Sequence, residues 1–380
     1  MMTRNLVLCL DGTNNEPEHG CTNVARIYSI AKKDDNQLVY YDPGVGTMGA
    51  RGAVTQLGQA LTRGAGLVAG FGIKDNIEEA YTWLSRHYQP GDRIYVFGFS
   101  RGAYTARALT GMLRTIGLLR PGTENLVPYA VKLYAQSGHA PAKPGTEPDA
   151  KTKAADEAFW AVRREFRKQF GQPDFPNPFD KGRHQVRFLG VWDTVKSVGW
   201  LNLKARWEMA HWPFTRKIEN VEIARHALAL DERRRPYQEY RFGENVAGAA
   251  DGRHREMWFA GVHSDIGGQF PDNHDLSDIA LSWMVKEAAA AGLLVDEGRY
   301  KSLLGANYAD DLPAELAMGK IHDSGRMWWL AGGWRARPVL PGDALHPSVL
   351  HRIDASAKDG KPYRQDLSAA ARQSRVVDHS

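Results

Sequence analysis

Ser100 lies between Gly98 and Gly102 in "GFSRG", directly after the apolar run "RIYVF" and directly before "RGAYTARALTGML". A G-x-S-x-G stretch between a strand and a helix puts a serine hydroxyl on a sharp corner, exposed to substrate. The positions two before and two after the serine must then carry almost no side chain, because the strained turn brings backbone close to them. The N–H groups that open the following helix, beginning with that of Arg101, aim at the same point and can hold an oxyanion. The bland alternative is a small residue in a Gly-rich turn.

A serine hydroxyl attacks only when a base takes its proton and a carboxylate orients that base. The chain offers these partners in the order Ser100, Asp193 in "VWDTV" and His263 in "GVHSD", the last two where an apolar run stops. Asp231 in "ALALDERRR" and Asp265 in "HSDIGG" are rival acids, although Asp265 is better placed to tie its own loop. A second oxyanion donor is expected from "LDGTNN", through the N–H of Gly12 or Thr13, with Asp11 holding that loop together. Asp11, Asp193, His263 and Asp265 could instead gather a divalent cation for phosphoester hydrolysis, but no dense motif such as H-E-x-x-H supports this. "GAGLVAG", Gly64 to Gly70, does not follow a strand, so nicotinamide or flavin binding is rejected. The reading requires no metal and no cofactor.

These side chains need a scaffold. "NLVLCL", Asn5 to Leu10, "QLVYYD", Gln37 to Asp42, and "RIYVFGF" read as strands, the first buried on both faces of a parallel sheet. Ile73 to Tyr88 has helical spacing, and the helix after Ser100 is expected to end near Gly117. Strand and helix in alternation predict an α/β fold with a mainly parallel sheet. "QVRFLGVWDTV" and "HREMWFAGVHSDIGG" return to strand character, and "LSDIALSWMVKEAAAAGL" reads as a helix with Asp275 or Ser277 at its N-cap. The expected organisation is a catalytic domain over 1–305, with an insertion at 119–185 acting as a cap outside the sheet. Residues 306–380 are expected to form a C-terminal extension packed on that domain and ending in a loose tail.

Composition bounds the rest. A hydrophobic content of 43% and a charged content of 24% are ordinary for a globular chain and exclude collagen-like or wholly disordered classes. Two cysteines, Cys9 and Cys21, make neither a disulfide framework nor a four-ligand zinc site. No apolar run is long enough for a membrane-spanning helix or a secretory signal, so synthesis in the cytosol and export, if any, by a signal-independent route are expected. Between Lys181 and Tyr237, 12 Lys and Arg face 6 Asp and Glu, more than the whole net charge of +5. Within that stretch Trp200, Trp207 and Trp212 alternate with basic residues, which suits either packing under a cap or contact with a lipid headgroup region. Nucleic acid is not expected as a partner.

"LDGTNN", "FGFSRGAYTARALTGML", "GVWDTV", "RHALALDERR" and "FAGVHSDIGGQF", in that order, resemble the family of uncharacterised domains DUF2235, which includes the catalytic domain of Tle1-type lipase effectors of bacterial type VI secretion. The resemblance implies an α/β-hydrolase fold, a Ser-Asp-His triad matching Ser100, Asp193 and His263, and, for the effector members, phospholipase A activity with a secretion-system or immunity partner. The chain is shorter than those effectors. The combined reading is a serine ester hydrolase acting on a phospholipid or another acylated amphiphile. A carboxylesterase for small or carbohydrate esters, a metal-assisted phosphoesterase and a non-catalytic scaffold are the alternatives.

Overall fold

The run "NLVLCL" forms β1 (Asn5–Leu10), and its side chains alternate between two cores. Leu6, Leu8 and Leu10 pack on one side of the sheet, Val7 and Cys9 on the other, all without solvent exposure. A strand covered on both faces has no polar side to show, which is why it reads as a continuous apolar run. Each such side chain contributes about 1.5–3 kcal/mol by leaving water.

The structure is a computed structural model and describes residues 3–12, 21–44, 72–136, 149–180, 182–195, 212–243, 251–323, 333–364 and 367. From β1 the chain runs through α1 (Asn23–Ile30) to β2 (Gln37–Asp42), then α2 (Ile73–His87) and β3 (Arg93–Phe99). Next come α3 (Arg101–Ile116), α4 (Val127–Ala135), α5 (Ala150–Phe170), β4 (Val186–Trp192), β5 (Val221–Ala229) and β6 (His254–Phe259). α6 (His263–Gly267), α7 (Asp275–Ala290), α8 (Glu297–Leu304), β7 (Ala344–Leu345) and α9 (Pro347–Lys358) complete the described elements, short 3₁₀ turns aside.

The strands form one sheet in the order β2-β1-β3-β4-β5-β6-β7, and every pairing is parallel. The chain moves outward from β1 to β2, then back across it to β3, so the order reverses between β1 and β3. Right-handed crossovers in opposite directions put their helices on opposite faces. Accordingly α2 and α3 pack with Leu6 and Leu8, while residues of α1 and α7 pack with Val7 and Cys9. Open α/β sheets hold ligands beyond the strand C-termini at such a reversal. Ser100 follows β3 at that place.

Two expectations change. α4, within the expected cap, supplies Val127, Ala130, Val131 and Tyr134 to the same core as α2 and α3, so the described part of the insertion is also a layer of the main body. The N-cap of α7 is His274 rather than Asp275 or Ser277, which already lie inside the helix. Beyond 305, β7 joins the sheet next to β6, and Leu345 and Val349 pack against Trp258 and Leu230.

Candidate active site

The corner at Ser100 has φ 58° and ψ −119°, a backbone region that L-residues rarely enter and that costs about 1–3 kcal/mol. Its surroundings hold it there. The Ser100 N–H donates to the Trp192 carbonyl at 3.1 Å, tying the turn to β4. A Cβ on Gly98 would sit 2.5 Å from the Gly102 carbonyl oxygen, and one on Gly102 would sit 2.6 Å from the carbonyl carbon of Asp11. Backbone therefore occupies both spaces, and α3 begins pressed against the end of β1. Among the described residues no acceptor takes the Arg101 N–H.

Asp193 directly follows β4, with φ 37°, and is fully buried. Its Oδ1 accepts from the Ala229 N–H at 3.0 Å, and its Oδ2 lies 2.5 Å from His263 Nδ1. His263 opens α6 after β6, and its Nε2 lies 2.8 Å from Ser100 Oγ. An imidazole that donates Nδ1–H to a carboxylate keeps Nε2 as an acceptor, the tautomer that can take a serine proton. The ring lies between Phe99 and Tyr237, with centroids at 4.6 and 4.9 Å, and the His263 N–H donates to Glu232 Oε2 at 3.2 Å. Residues 93, 70 and 163 positions apart thus meet at one point because the parallel strands β3, β4 and β6 end on the same edge.

Charge around the pair is uneven. Burial by itself would raise the Asp193 carboxyl, but the Arg337 guanidinium and the hydrogen bond from His263 outweigh it and hold the group well below the carboxylate range. Burial draws the His263 imidazole below its ordinary value, with the Asp193 hydrogen bond pulling the other way. Burial likewise lowers the Arg101 guanidinium to about 10.

The rival acids are occupied elsewhere. Asp231 accepts from the Gly261 N–H at 2.8 Å and the Tyr363 hydroxyl at 2.7 Å. Asp265 accepts from the Val262 N–H at 2.9 Å and pairs with His322 Nδ1 at 2.5 Å, fixing its own loop. Asp11 takes hydrogen bonds from Gly12 N–H, Thr22 Oγ1 and Tyr41 Oη. The Gly12 N–H is thereby engaged, which removes it as a ready oxyanion donor; Thr13 lies outside the described residues. Among the described residues no three His, Cys, Asp or Glu side chains are grouped to hold a metal ion. Trp212 is partly buried beside Tyr134, ring centroids 5.4 Å apart, whereas Trp200 and Trp207 lie outside the described residues. Three neighbours escaped the sequence reading: Glu232, Tyr237 and Arg337. Glu232 adjoins Asp231 in "LDERR", but Arg337 in "WRARPV" belongs to no motif.

The fold is α/β, a seven-stranded parallel sheet with helices on both faces. Residues 4–287 match the family model "T6SS, Phospholipase effector Tle1-like, catalytic domain", and the chain belongs to that family. An uncharacterized protein of Saccharomyces cerevisiae is 33% identical over 247 residues, 63% of this chain, and the chain spans only a third of that relative's length. Among solved structures, an uncharacterized protein from Pseudomonas aeruginosa is 20% identical with a TM-score of 0.41, covering 78% of this chain and 47% of its own. The Tle1 effector bound to the VgrG spike of the type VI secretion system is 16% identical with a TM-score of 0.44, covering 83% of this chain and 77% of its own.

Proposed function

We propose that the chain is a serine ester hydrolase that cleaves an acyl ester of a phospholipid, with Ser100, His263 and Asp193 as its catalytic triad. The observation that carries this reading is the unbroken relay Asp193–His263–Ser100, with contacts of 2.5 and 2.8 Å, ending at a strained corner. His263 Nε2 takes the proton as Ser100 Oγ attacks the acyl carbon, and the charge that develops on the imidazolium faces Asp193. The Arg101 N–H at the start of α3 stabilises the oxyanion, together with a donor from the loop after β1. The imidazolium then protonates the leaving alcohol, and water repeats the sequence on the acyl-enzyme.

Residues 1–305 supply this machinery, with 306–380 as an extension packed on it. Delivery through a secretion-system partner accords with the family, and no helix among the described residues is long and apolar enough to cross a membrane. The test is release of fatty acid from phospholipid vesicles and from p-nitrophenyl esters by the wild type and Ser100→Ala. We expect the variant to lose roughly 10⁴-fold or more of both activities while keeping its melting temperature. Hydrolysis of small esters alone would make it a carboxylesterase. Turnover retained by the variant and abolished by a chelator would favour the metal-assisted phosphoesterase, and a wild type inert on every ester would favour a scaffold.

A further inference from the structure

The triad acid carries one contact that a Ser-His-Asp relay does not itself require. Arg337 Nη1 lies 2.5 Å from Asp193 Oδ1 and Nη2 lies 3.0 Å from Oδ2, so a guanidinium fork engages both oxygens. Nη1 also donates to the Ala229 carbonyl at 2.8 Å and Nη2 to that of Tyr237 at 2.5 Å. Both side chains are almost wholly buried. Arg337 lies fifty residues beyond the end of the matched catalytic span at 287. Backbone bonds bring it there: Arg335 N–H donates to the Arg233 carbonyl at 2.7 Å and Arg235 N–H to that of Gly333 at 3.2 Å.

We propose that Arg337 is a positioning residue for the proposed triad, fixing the rotation of the Asp193 carboxylate and compensating its charge, so that the segment 333–338 completes a site the matched span leaves unfinished. The inference rests on the serine mechanism proposed above. A buried carboxylate without a cation favours protonation, and a protonated Asp193 could not hold His263 in the tautomer that accepts from serine. The planar fork fits a carboxylate in a single orientation, here with Oδ2 turned to His263 Nδ1; a lysine supplies the charge but not the plane. The same cation opposes protonation of the nearby imidazole. Other charged or titratable groups around the pair are Glu232, Arg234, Tyr237, Glu239, His226 and, on the His263 helix, Asp265. Removing Arg337 leaves these in place and takes one positive charge from the dyad, so the dyad binds a proton at higher pH.

The experiment is ester hydrolysis by the wild type, Arg337→Met, Arg337→Lys and Ser100→Ala across the range in which histidine titrates, with melting curves for each. Arg337→Met is expected to lower kcat about 10- to 100-fold, by analogy with the range seen when the hydrogen-bonding partners of metal-ligating side chains are removed. Its acid limb of kcat/KM should rise by about one pH unit. Arg337→Lys should keep the limb near that of the wild type yet still lose kcat, with KM little changed. An unmoved limb in a folded Arg337→Met, or wild-type kcat in Arg337→Lys, overturns the proposal; if Arg337→Met does not fold, the lysine variant alone decides. Ser100→Ala separates the two readings: turnover in that variant sinks the serine mechanism, whereas a dead Ser100→Ala beside an unmoved limb sinks only the role of Arg337.

Discussion

At the residue scale, the proposed mechanism puts most of the chemistry on His263, because there it is neutral to accept a proton and charged a moment later. Burial draws its imidazole below the ordinary value, so the neutral form persists to lower pH than in water. The sign follows directly. Activity that needs neutral His263 is full above its pKa and falls as pH drops through it, and that pKa lies below the usual value of about 6.5. A plot of kcat/KM against pH should therefore bend below about 6.5; a bend well above it would contradict this account of the ring's environment. Ser100, Asp193 and His263 were legible because each ends an apolar run and the chain order suits a hydrolase. Arg337 was not: a lone arginine among "WRARPV" has no spacing to betray a partner 144 positions earlier.

Elements built on continuous apolar runs were the easiest to read. β1, β2 and β3 match their apolar runs to the residue, and α3 stops where Gly117 takes φ 77°. β5 escaped because "VEIARHALA" mixes charge into a central strand. Its charges are legible only in three dimensions: Arg225 meets Glu287 at 2.6 Å, and His226 pairs with Glu256 at 2.8 Å while accepting the Thr194 N–H. α9 was hidden in the same way. Its N-cap is His346, which stacks on Phe259 and accepts from the Ser348 N–H, a role that requires a neutral ring. Burial lowers the His346 pKa to about 3, against about 6.5 in the unfolded chain. The unfolded state thus binds a proton that the folded state refuses, and stability is lost as pH falls from about 6.5 toward 3. We expect urea midpoints to drop between neutral pH and about pH 4, and His346→Asn, which keeps a capping acceptor without a titrating ring, to flatten that drop. Equal slopes for the two proteins would remove His346 from the explanation.

For the whole molecule, the sheet matters as a device that brings distant parts of the chain to one edge. The reversal of strand order between β1 and β3 opens the space into which Ser100 projects, and β4 and β6 deliver Asp193 and His263 to the same side. The far end of the chain returns to this edge through β7 and the segment that carries Arg337. The fold class was readable from alternation of strands and helices; β7 as a strand of the sheet was not, because its place depends on tertiary pairing rather than periodicity. The most direct check on the central claim is covalent labelling of the full chain with a fluorophosphonate probe, the modified residue being located by peptide mass spectrometry. The account predicts a single adduct on Ser100, strongly slowed in His263→Ala. An adduct on another serine, or labelling of Ser100 at the wild-type rate without His263, would contradict it.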